Sequence, residues 1–591
     1  ARGLMEGGGG GAGHGGPRAY HGGRLANFFK DNPDLRHRVA SAPWATLLPP
    51  LERNFTDPDE MAPRSLEEAT EQIGMVLEMV GQMAADDIAP HAAAVDAEGA
   101  RLVDGAVVYP EPMRKAFAML AEAGLLGFTL PREHGGLNLP IVAYTAAVEL
   151  VSRADASLMT LFALQGCGET IHRFATADLQ KRFLPRLAAG EITPCMALTE
   201  PDAGSALGSV STKAIQQADG AWRIRGSKCF ITNGGADVLL VLARTEEDKP
   251  GGDGLSLFLV ERGEGVEVAK LESKLGIHGS ATAVVNFDDV PGVLVGRRGE
   301  GLYKVTLGLL HNVRLEVAAQ AVGIAEAAQR AAARYARERK QFGRGIDAFA
   351  PVRDMLFHGA AEIEASRAIV FTTAAVVDRR RGLARAGGGA ELDRYERLAD
   401  LMTPLSKYYA CEMVNDVTSK ALQGHGGYGY CTEYPAERHL RDGRITNIYE
   451  GTSEIQVGAM IGPLLDGGLP LLFEEPLRDA EEPEACAGVL GALRANYEML
   501  LQAAETAAGA DRMRQQGWGK AFADATADLM AGLVFLRDAG SEARYGPLAR
   551  HRAAVGRRRA ESVLRTVRED ATIPFDDDAF EAVVGPYRGG A

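Results

Sequence analysis

The spacing of apolar residues changes character twice along this chain, and that limits what it can fold into. From about 67 to 195, apolar residues return at intervals of three and four. Ile73, Val76, Leu77, Val80 and Met83 form one such stripe; Met113, Phe117, Leu120 and Leu125 form another. This is the pattern of amphipathic helices. From 196 the interval falls to two. Segments 221–230, 238–244, 255–260 and 283–287 read as strands between Gly- and Asp-rich turns, a β unit of roughly 100 residues. After Pro291 the longer interval returns and lasts to about 463, with Leu307, Leu310, Val317, Ala321, Ile324 and Ala328 on one face of a long helix. The order helical, β, helical predicts an α+β multidomain protein.

A chain of 591 residues that is 46% hydrophobic has room for three or four units. The expected divisions are an N-terminal extension, partly disordered (1–66), a helical domain (67–195), a middle β domain (196–296), a helical bundle (297–463), and a linker with an extra helical domain (464–591). Residues 1–23, with glycine at 7 to 11, read as a low-complexity arm. The amphipathic piece 25–35 is expected to pack loosely. Residues 379–394 (RRRGLARAGGGAELDR) read as a mobile, insertion-like turn, and 464–476 as a linker broken by Gly467, Gly468 and Pro470.

The net charge of −15 disfavours nucleic-acid binding. Six scattered cysteines with no C-x-x-C pair predict a reduced, cytoplasmic protein without a zinc site. No metal cluster, P-loop or G-x-S-x-G elbow is present, no apolar run reaches the ~18 residues of a membrane span, and no signal peptide is visible. The glycines at 424–429 do not follow a predicted strand in a βαβ unit, which excludes a dinucleotide fingerprint there.

The densest stretch is 423–456, QGHGGYGYCTEYPAERHLRDGRITNIYEGTSEIQ. Its glycines allow sharp turns and close approach to a ligand. Alternating charges follow, then Glu450 alone among apolar and glycine neighbours. Ser453 and Gln456 have capping-box spacing, so a helix is expected just after Glu450. A lone carboxylate at such a junction has its pKa raised by desolvation and suits a general base for an acidified C–H bond.

This stretch resembles the C-terminal signature of the acyl-CoA dehydrogenase family, from Q-x-x-G-G-x-G through Glu433, Arg438 and Asp442 to I-Y-E-G-T. The resemblance implies a helical domain, a β-barrel-like domain and a four-helix bundle, here with an extra helical extension. It implies FAD as cofactor and Glu450 as the base that takes the α-proton of an acyl-CoA, while the β-hydrogen leaves as hydride to the flavin. Tyr449 and Gly451 are implied at the substrate, and Gln423, Gly426, Gly427, Thr452 and Glu454 at the cofactor.

Other motifs are similar to the same family. Residues 196–205, MALTEPDAGS, look like its first signature, implying flavin contacts from Met196, Leu198, Thr199 and Gly204; Ser205 would reach the CoA arm or a pyrophosphate. Ala206 stands where the family usually has Asp. Residues 226–234, GSKCFITNG, place Phe230, Ile231 and Thr232 at the flavin. Arg314 corresponds to a substrate-side arginine; His311 departs from the family's usual Asp, and Val313, beside Arg314, cannot serve as a base. Residues 335–343, YARERKQFG, put Arg339, Gln341 and Phe342 on the flavin of a neighbouring subunit, so a homodimer or homotetramer is implied. An electron-transfer flavoprotein is the implied electron acceptor.

Arg550, Arg552, Arg557, Arg558, Arg559, Arg565 and Arg568 make the extension locally basic. A solvated helix face accounts for them; contact with an anionic membrane or with CoA phosphate is the sharper reading. Two alternatives to a dehydrogenase stay open: an acyl-CoA oxidase that uses oxygen, and a family-derived assembly or nucleic-acid-associated protein with little turnover. The preferred acyl group is not legible.

Overall fold

A computed structural model describes residues 27–569 and 577–588. The arm expected over 1–23 lies outside the described residues.

Two short helices, α1 (Pro33–Ala40) and α2 (Trp44–Leu51), come first. They do not pack loosely as expected. Phe28, Phe29, Leu35, Leu47 and Leu48 are buried in the main core, and Asn27 donates to the Glu78 carbonyl at 2.9 Å. The helical domain follows with α3 (Leu66–Met83), α4 (Glu111–Glu122), α5 (Ile141–Ala154), α6 (Ala156–Phe162), α7 (Gln165–Phe174) and α8 (Ala177–Ala188). Every residue of α5 is buried; such a helix belongs in the middle of a protein, not on its surface.

The β domain comprises β1 (Pro194–Ala197), β2 (Lys213–Gln216), β3 (Trp222–Thr232), β4 (Val238–Arg244), β5 (Leu255–Glu261), β6 (Val266–Leu271) and β7 (Thr282–Val295). Pairings β2–β3, β3–β7, β7–β5, β5–β4 and β4–β2 close a five-stranded barrel, with β1 added along β4 and β6 along β7. Strands β1 and β2 are too short to show an alternating pattern, and in β6 the alternation breaks at an irregularity between Val268 and Lys270.

The bundle consists of α9 (Leu307–Glu338), α10 (Ala350–Arg385), α11 (Ala390–His425) and α13 (Ser453–Pro463), with α12 (Ala436–Arg444) packed on α11. Helix α9 also packs on α5. Gly323 permits this, because a β-carbon there would stand 2.4 Å from the Glu149 carbonyl oxygen. Behind that contact Arg367 of α10 is fully buried and bonds Glu149 at 2.8 Å and Glu326 at 2.9 Å, tying α5, α9 and α10 together. The expected mobile turn at 379–394 is mostly helix. Only 386–389 interrupt it, and its arginines are engaged: Arg379 with Glu391 at 2.7 Å, Arg381 with Glu169 at 3.3 Å, Arg385 with the Leu51 carbonyl at 2.8 Å.

The expected linker at 464–476 is also helical. A wide turn (Leu464–Gly468) leads into α14 (Leu469–Asp479). The stretch Ser453–Asp479 is long and on average apolar enough to cross a membrane, though Glu454, Asp466 and Glu474 interrupt its apolar run. Its apolar residues, including Val457, Ile461, Leu469 and Phe473, are spent on the interior. The extension then forms α15 (Val489–Ala508), α16 (Arg512–Asp538) and α17 (Tyr545–Arg568), sharing one apolar core with α10, α11 and α13.

Of its arginines Arg552 is taken into the interior and Arg559 is half-buried, while Arg550, Arg557, Arg558, Arg565 and Arg568 are exposed. Arg552 is fully buried between Asp528 at 3.0 Å, Glu362 at 2.9 Å and the Tyr409 hydroxyl at 3.0 Å. Arg559 pairs with Asp528 at 2.9 Å, Arg557 with Glu561 at 2.8 Å, and Arg550 donates to the Ala485 carbonyl at 2.7 Å. The exposed arginines form the solvated helix face expected of this segment.

Candidate functional site

Glu450 lies in the turn between α12 and α13, and three helices hold that turn. Lys407 of α11 donates to the Gly451 carbonyl at 2.7 Å. Gln456 of α13 donates to the carbonyls of Glu450 at 3.1 Å and Gly451 at 3.0 Å. The Tyr449 hydroxyl donates to Gln320 of α9, which in turn donates to the Ala156 carbonyl at 3.2 Å. Glu450 itself is left-handed, with φ +56°, a strained conformation for a residue with a β-carbon. Gly451 follows at φ +91°, where a β-carbon would meet Gln456 Nε2 at 2.6 Å.

Helix α13 does begin just beyond Glu450, but its cap differs from expectation. The capping oxygen belongs to Thr452, which accepts from the Ile455 N–H at 3.4 Å. Ser453 is already helical and donates to Glu412 of α11 at 2.5 Å. Gln456, expected as the box partner, faces the loop carbonyls instead.

Two buried cations act on the carboxyl electrostatically. Arg314 of α9 is 8% exposed and its Nε has no hydrogen-bond partner among the described residues. Burial lowers the pKa of the Arg314 guanidinium, and Glu450 partly restores it. Lys407 is fully buried, and desolvation lowers its pKa too. For Glu450 the largest influence is burial, which pushes the carboxyl up; Lys407 and then Arg314 pull it part of the way back. The result is a carboxyl lifted above the ordinary glutamate range and still ionisable. Val313 is buried and apolar.

The remaining signature residues divide into two groups. In the first, 196–205 and 226–234 lie side by side. Lys228 is fully buried and donates to the Leu198 carbonyl at 2.9 Å and to Glu200 at 2.8 Å, and the Cys229 N–H reaches the Thr199 carbonyl at 3.0 Å. Burial holds Lys228 down at about 8; at Glu200 burial is opposed by Lys228 together with the bonds from Ser211 and Thr212, which hold it at about 2. Met196 stands in β1, Ile231 and Thr232 at the end of β3, and Gly204 and Ser205 on an exposed turn. Phe230 is left-handed at φ +59° and 64% exposed. An aromatic face held outward by strained backbone, beside hydroxyl and amide edges, is the surface a planar, polar-rimmed ring system fits.

The second group joins 335–343 to 423–434. Tyr335 stacks on His425 at 4.5 Å, and Arg339 lies over the Tyr428 ring at 5.7 Å. Phe342 is 93% exposed at φ +49°; Gln341 is exposed beside it, and Gly426 and Gly427 form an open turn after Gln423 at the end of α11. Arg339 presents a guanidinium of the kind that matches a diphosphate. Glu454 is exposed on the first turn of α13, and its own N–H holds its carboxylate down. The two groups together supply an aromatic face, hydroxyl and amide edges and a guanidinium, a donor set that fits FAD. Glu433 and Tyr430 are exposed. Arg441 and Asp442 serve the frame: Arg441 pairs with Asp96 at 2.7 Å, and Asp442 accepts from the Ile277 N–H at 2.6 Å, so α12 docks the first helical domain and the β domain.

Lys407, Gln320 and Glu412 have no counterpart among the expected site residues, and Gln456 was expected only as a capping partner. Lys407 and Gln320 left one signal, being polar residues on otherwise apolar helix faces.

Comparison with known proteins agrees with this geometry. The N-terminal domain of acyl-CoA dehydrogenases matches residues 70–191, the middle domain 195–290 and the C-terminal domain 299–462. A 3-methylmercaptopropionyl-CoA dehydrogenase of Ruegeria pomeroyi is 36% identical over 466 residues, 74% of this chain and 78% of its own length. An acyl-CoA dehydrogenase of Bacillus anthracis, solved in complex with FAD, superposes with a TM-score of 0.73 at 25% identity, covering 84% of this chain and 88% of its own. A chain from a structure of the electron transferring flavoprotein of Acidaminococcus fermentans, studied for flavin-based electron bifurcation, superposes with a TM-score of 0.60 at 34% identity, covering 67% of this chain and 98% of its own.

Proposed function

The chain belongs to the acyl-CoA dehydrogenase family of FAD-dependent oxidoreductases, and from that premise we propose that Glu450 abstracts the α-proton of an acyl-CoA thioester to give the 2-enoyl-CoA. FAD, when bound, supplies the acceptor for the β-hydrogen as hydride, which no protein side chain can provide. Phe230, Ile231, Thr232, Met196, Leu198, Thr199 and Gly204 would hold its ring, and Arg339, Gln341, Phe342, Gln423, Gly426, Gly427, Thr452 and Glu454 the remainder.

Glu450 must be ionised to accept the proton and close to neutral basicity to be effective. Burial raises it and Lys407 and Arg314 limit the rise. The turn that carries it is fixed in advance by Lys407, Gln456 and Tyr449, so little reorganisation accompanies proton transfer. Negative charge grows on the thioester oxygen as the proton leaves. We assign that oxygen to the Glu450 N–H, just ahead of the α13 N-terminus, where the helix dipole favours negative charge. Arg314, Tyr449, Gly451 and Ser205 are the substrate-side groups.

The observation that carries this reading is the placement of Glu450, in strained backbone between two buried cations on a turn tied to three helices. Anaerobic mixing of the holoenzyme with a panel of acyl-CoAs tests it: at least one should bleach the flavin, and bleaching by none would refute it. We further propose an electron-transfer flavoprotein as acceptor, supported by the likeness to the Acidaminococcus chain. Oxygen uptake without added acceptor would instead favour an oxidase. A flavin site shared between subunits of a homo-oligomer is supported by the exposure of Phe342 and Gln341, and a reducing compartment by six free cysteines.

A further inference from the structure

Glu316 is a buried carboxyl for which the chemistry above has no use. It lies on α9, two residues after Arg314 and one turn before Gln320, the residue that anchors Tyr449. It is 6% exposed. Oε1 stands 3.9 Å from the point where a β-carbon on Gly166 of α7 would be. Oε2 has no hydrogen-bond partner among the described residues.

Its neighbours do not compensate a charge. Glu169 and Glu450 act on it as like charges, and Tyr144, Cys167 and Tyr449 are within electrostatic reach. Arg381 is paired with Glu169, and Arg314 and Lys407 serve Glu450. Burial first, and the two carboxyls second, push Glu316 well above the ordinary glutamate range. Burial without a counter-charge favours the neutral form of a carboxyl, which carries one O–H donor. Buried donors are normally paired, and this one lies within electrostatic reach of Glu450, on the helix that also carries Arg314 and Gln320.

We propose that Glu316 is a specificity-determining residue that donates its carboxylic O–H to an oxygen acceptor carried by the acyl chain beyond the β-carbon, so that hydroxy-, ether- or keto-substituted acyl-CoAs are preferred over plain alkyl ones. The proposal rests on Glu450 being the base, because that assignment places the acyl chain beside α9. A site built to meet a polar group discriminates against the analogue that lacks it more strongly than an apolar site does the reverse.

Straight-chain acyl-CoAs and their ether- and hydroxyl-bearing isosteres would be compared in two readouts: anaerobic bleaching rate with the wild-type holoenzyme, and calorimetric affinity with Glu450→Gln holoenzyme. Wild type should favour the oxygenated member by at least ~10-fold in both. Glu316→Leu should abolish or invert that ratio, and Glu316→Gln, which keeps an N–H donor in a similar volume, should retain most of it. An unchanged ratio in Glu316→Leu overturns the proposal. So does a wild type that prefers plain alkyl chains, a result that needs no variant to fold. Preference for a trimethylammonium-bearing chain also overturns it, since Glu316 would then act as an anion. If no acyl-CoA bleaches the wild type, the assignment of Glu450 fails, while the calorimetric ratio still reports on Glu316.

Discussion

Glu450 owes its basicity to burial and two neighbouring cations acting in opposite directions. Burial raises its pKa; Lys407 and Arg314 lower it. Removing a cation removes a lowering influence, so Glu450 should titrate at higher pH in Lys407→Met. The ionised base is the active form, so the acid limb of kcat/KM against pH should move to more alkaline pH in this variant. An acid limb that stays in place would show that Lys407 does not tune the base. Lys407 also bonds the Gly451 carbonyl, so a fall in kcat at the pH plateau of ~10-fold or more is expected. At this scale the sequence was informative about the reacting group and silent about its supports. Glu450 stood out because its neighbours are apolar and glycine. Lys407 and Gln320 did not, because what makes them matter is contact across helices far apart in sequence.

At the scale of elements, α12 and α17 act as fasteners. In α12, burial raises Asp442 to about 7, against the bond it accepts from the Ile277 N–H. A carboxyl whose folded pKa exceeds its unfolded value stabilises fully below the unfolded pKa, and that contribution is lost as pH rises through the folded one. Stability should therefore fall between about pH 4 and 7, and less steeply in Asp442→Asn, read as melting temperature against pH; an equal slope would remove Asp442 from the account. In α17, Arg552 is enclosed by Asp528, Glu362 and Tyr409. Arg552→Met leaves buried acids without their cation and should destabilise the protein by about 3–5 kcal/mol, measured by denaturant unfolding; a loss below about 1 kcal/mol would mean the pairing is dispensable. Long elements with a clear period, such as α9 and β4, were legible in the sequence. The helical stretch 464–479 was not, because its glycines and prolines read as breakers while tertiary packing of Leu469 and Phe473 overrides them. The same override turns 379–385 into helix and buries Phe28 and Phe29.

For the whole molecule, the residues proposed to hold the cofactor lie mostly in two groups, one on the β domain and one at the ends of the bundle helices α9 and α11, with Thr452 and Glu454 at the start of α13. Arg339, Gln341 and Phe342 present themselves outward, as a site completed by a second copy requires. Arg339→Ala should weaken flavin retention, seen as sub-stoichiometric flavin after gel filtration; full retention would place the cofactor within one chain. The order of domains was legible because the period of the apolar residues changes where the architecture changes, and the family resemblance named the cofactor. The fusion of the extension with the bundle was not legible, since it depends on buried ion pairs such as Arg552 with Glu362 that join residues distant in sequence. The whole account turns on proton removal by one carboxylate. The most direct test is anaerobic mixing of flavin-loaded Glu450→Gln with the acyl-CoAs that bleach the wild type. The variant should keep its flavin and bleach at least ~10³-fold more slowly, whereas bleaching at the wild-type rate would show that another group takes the proton.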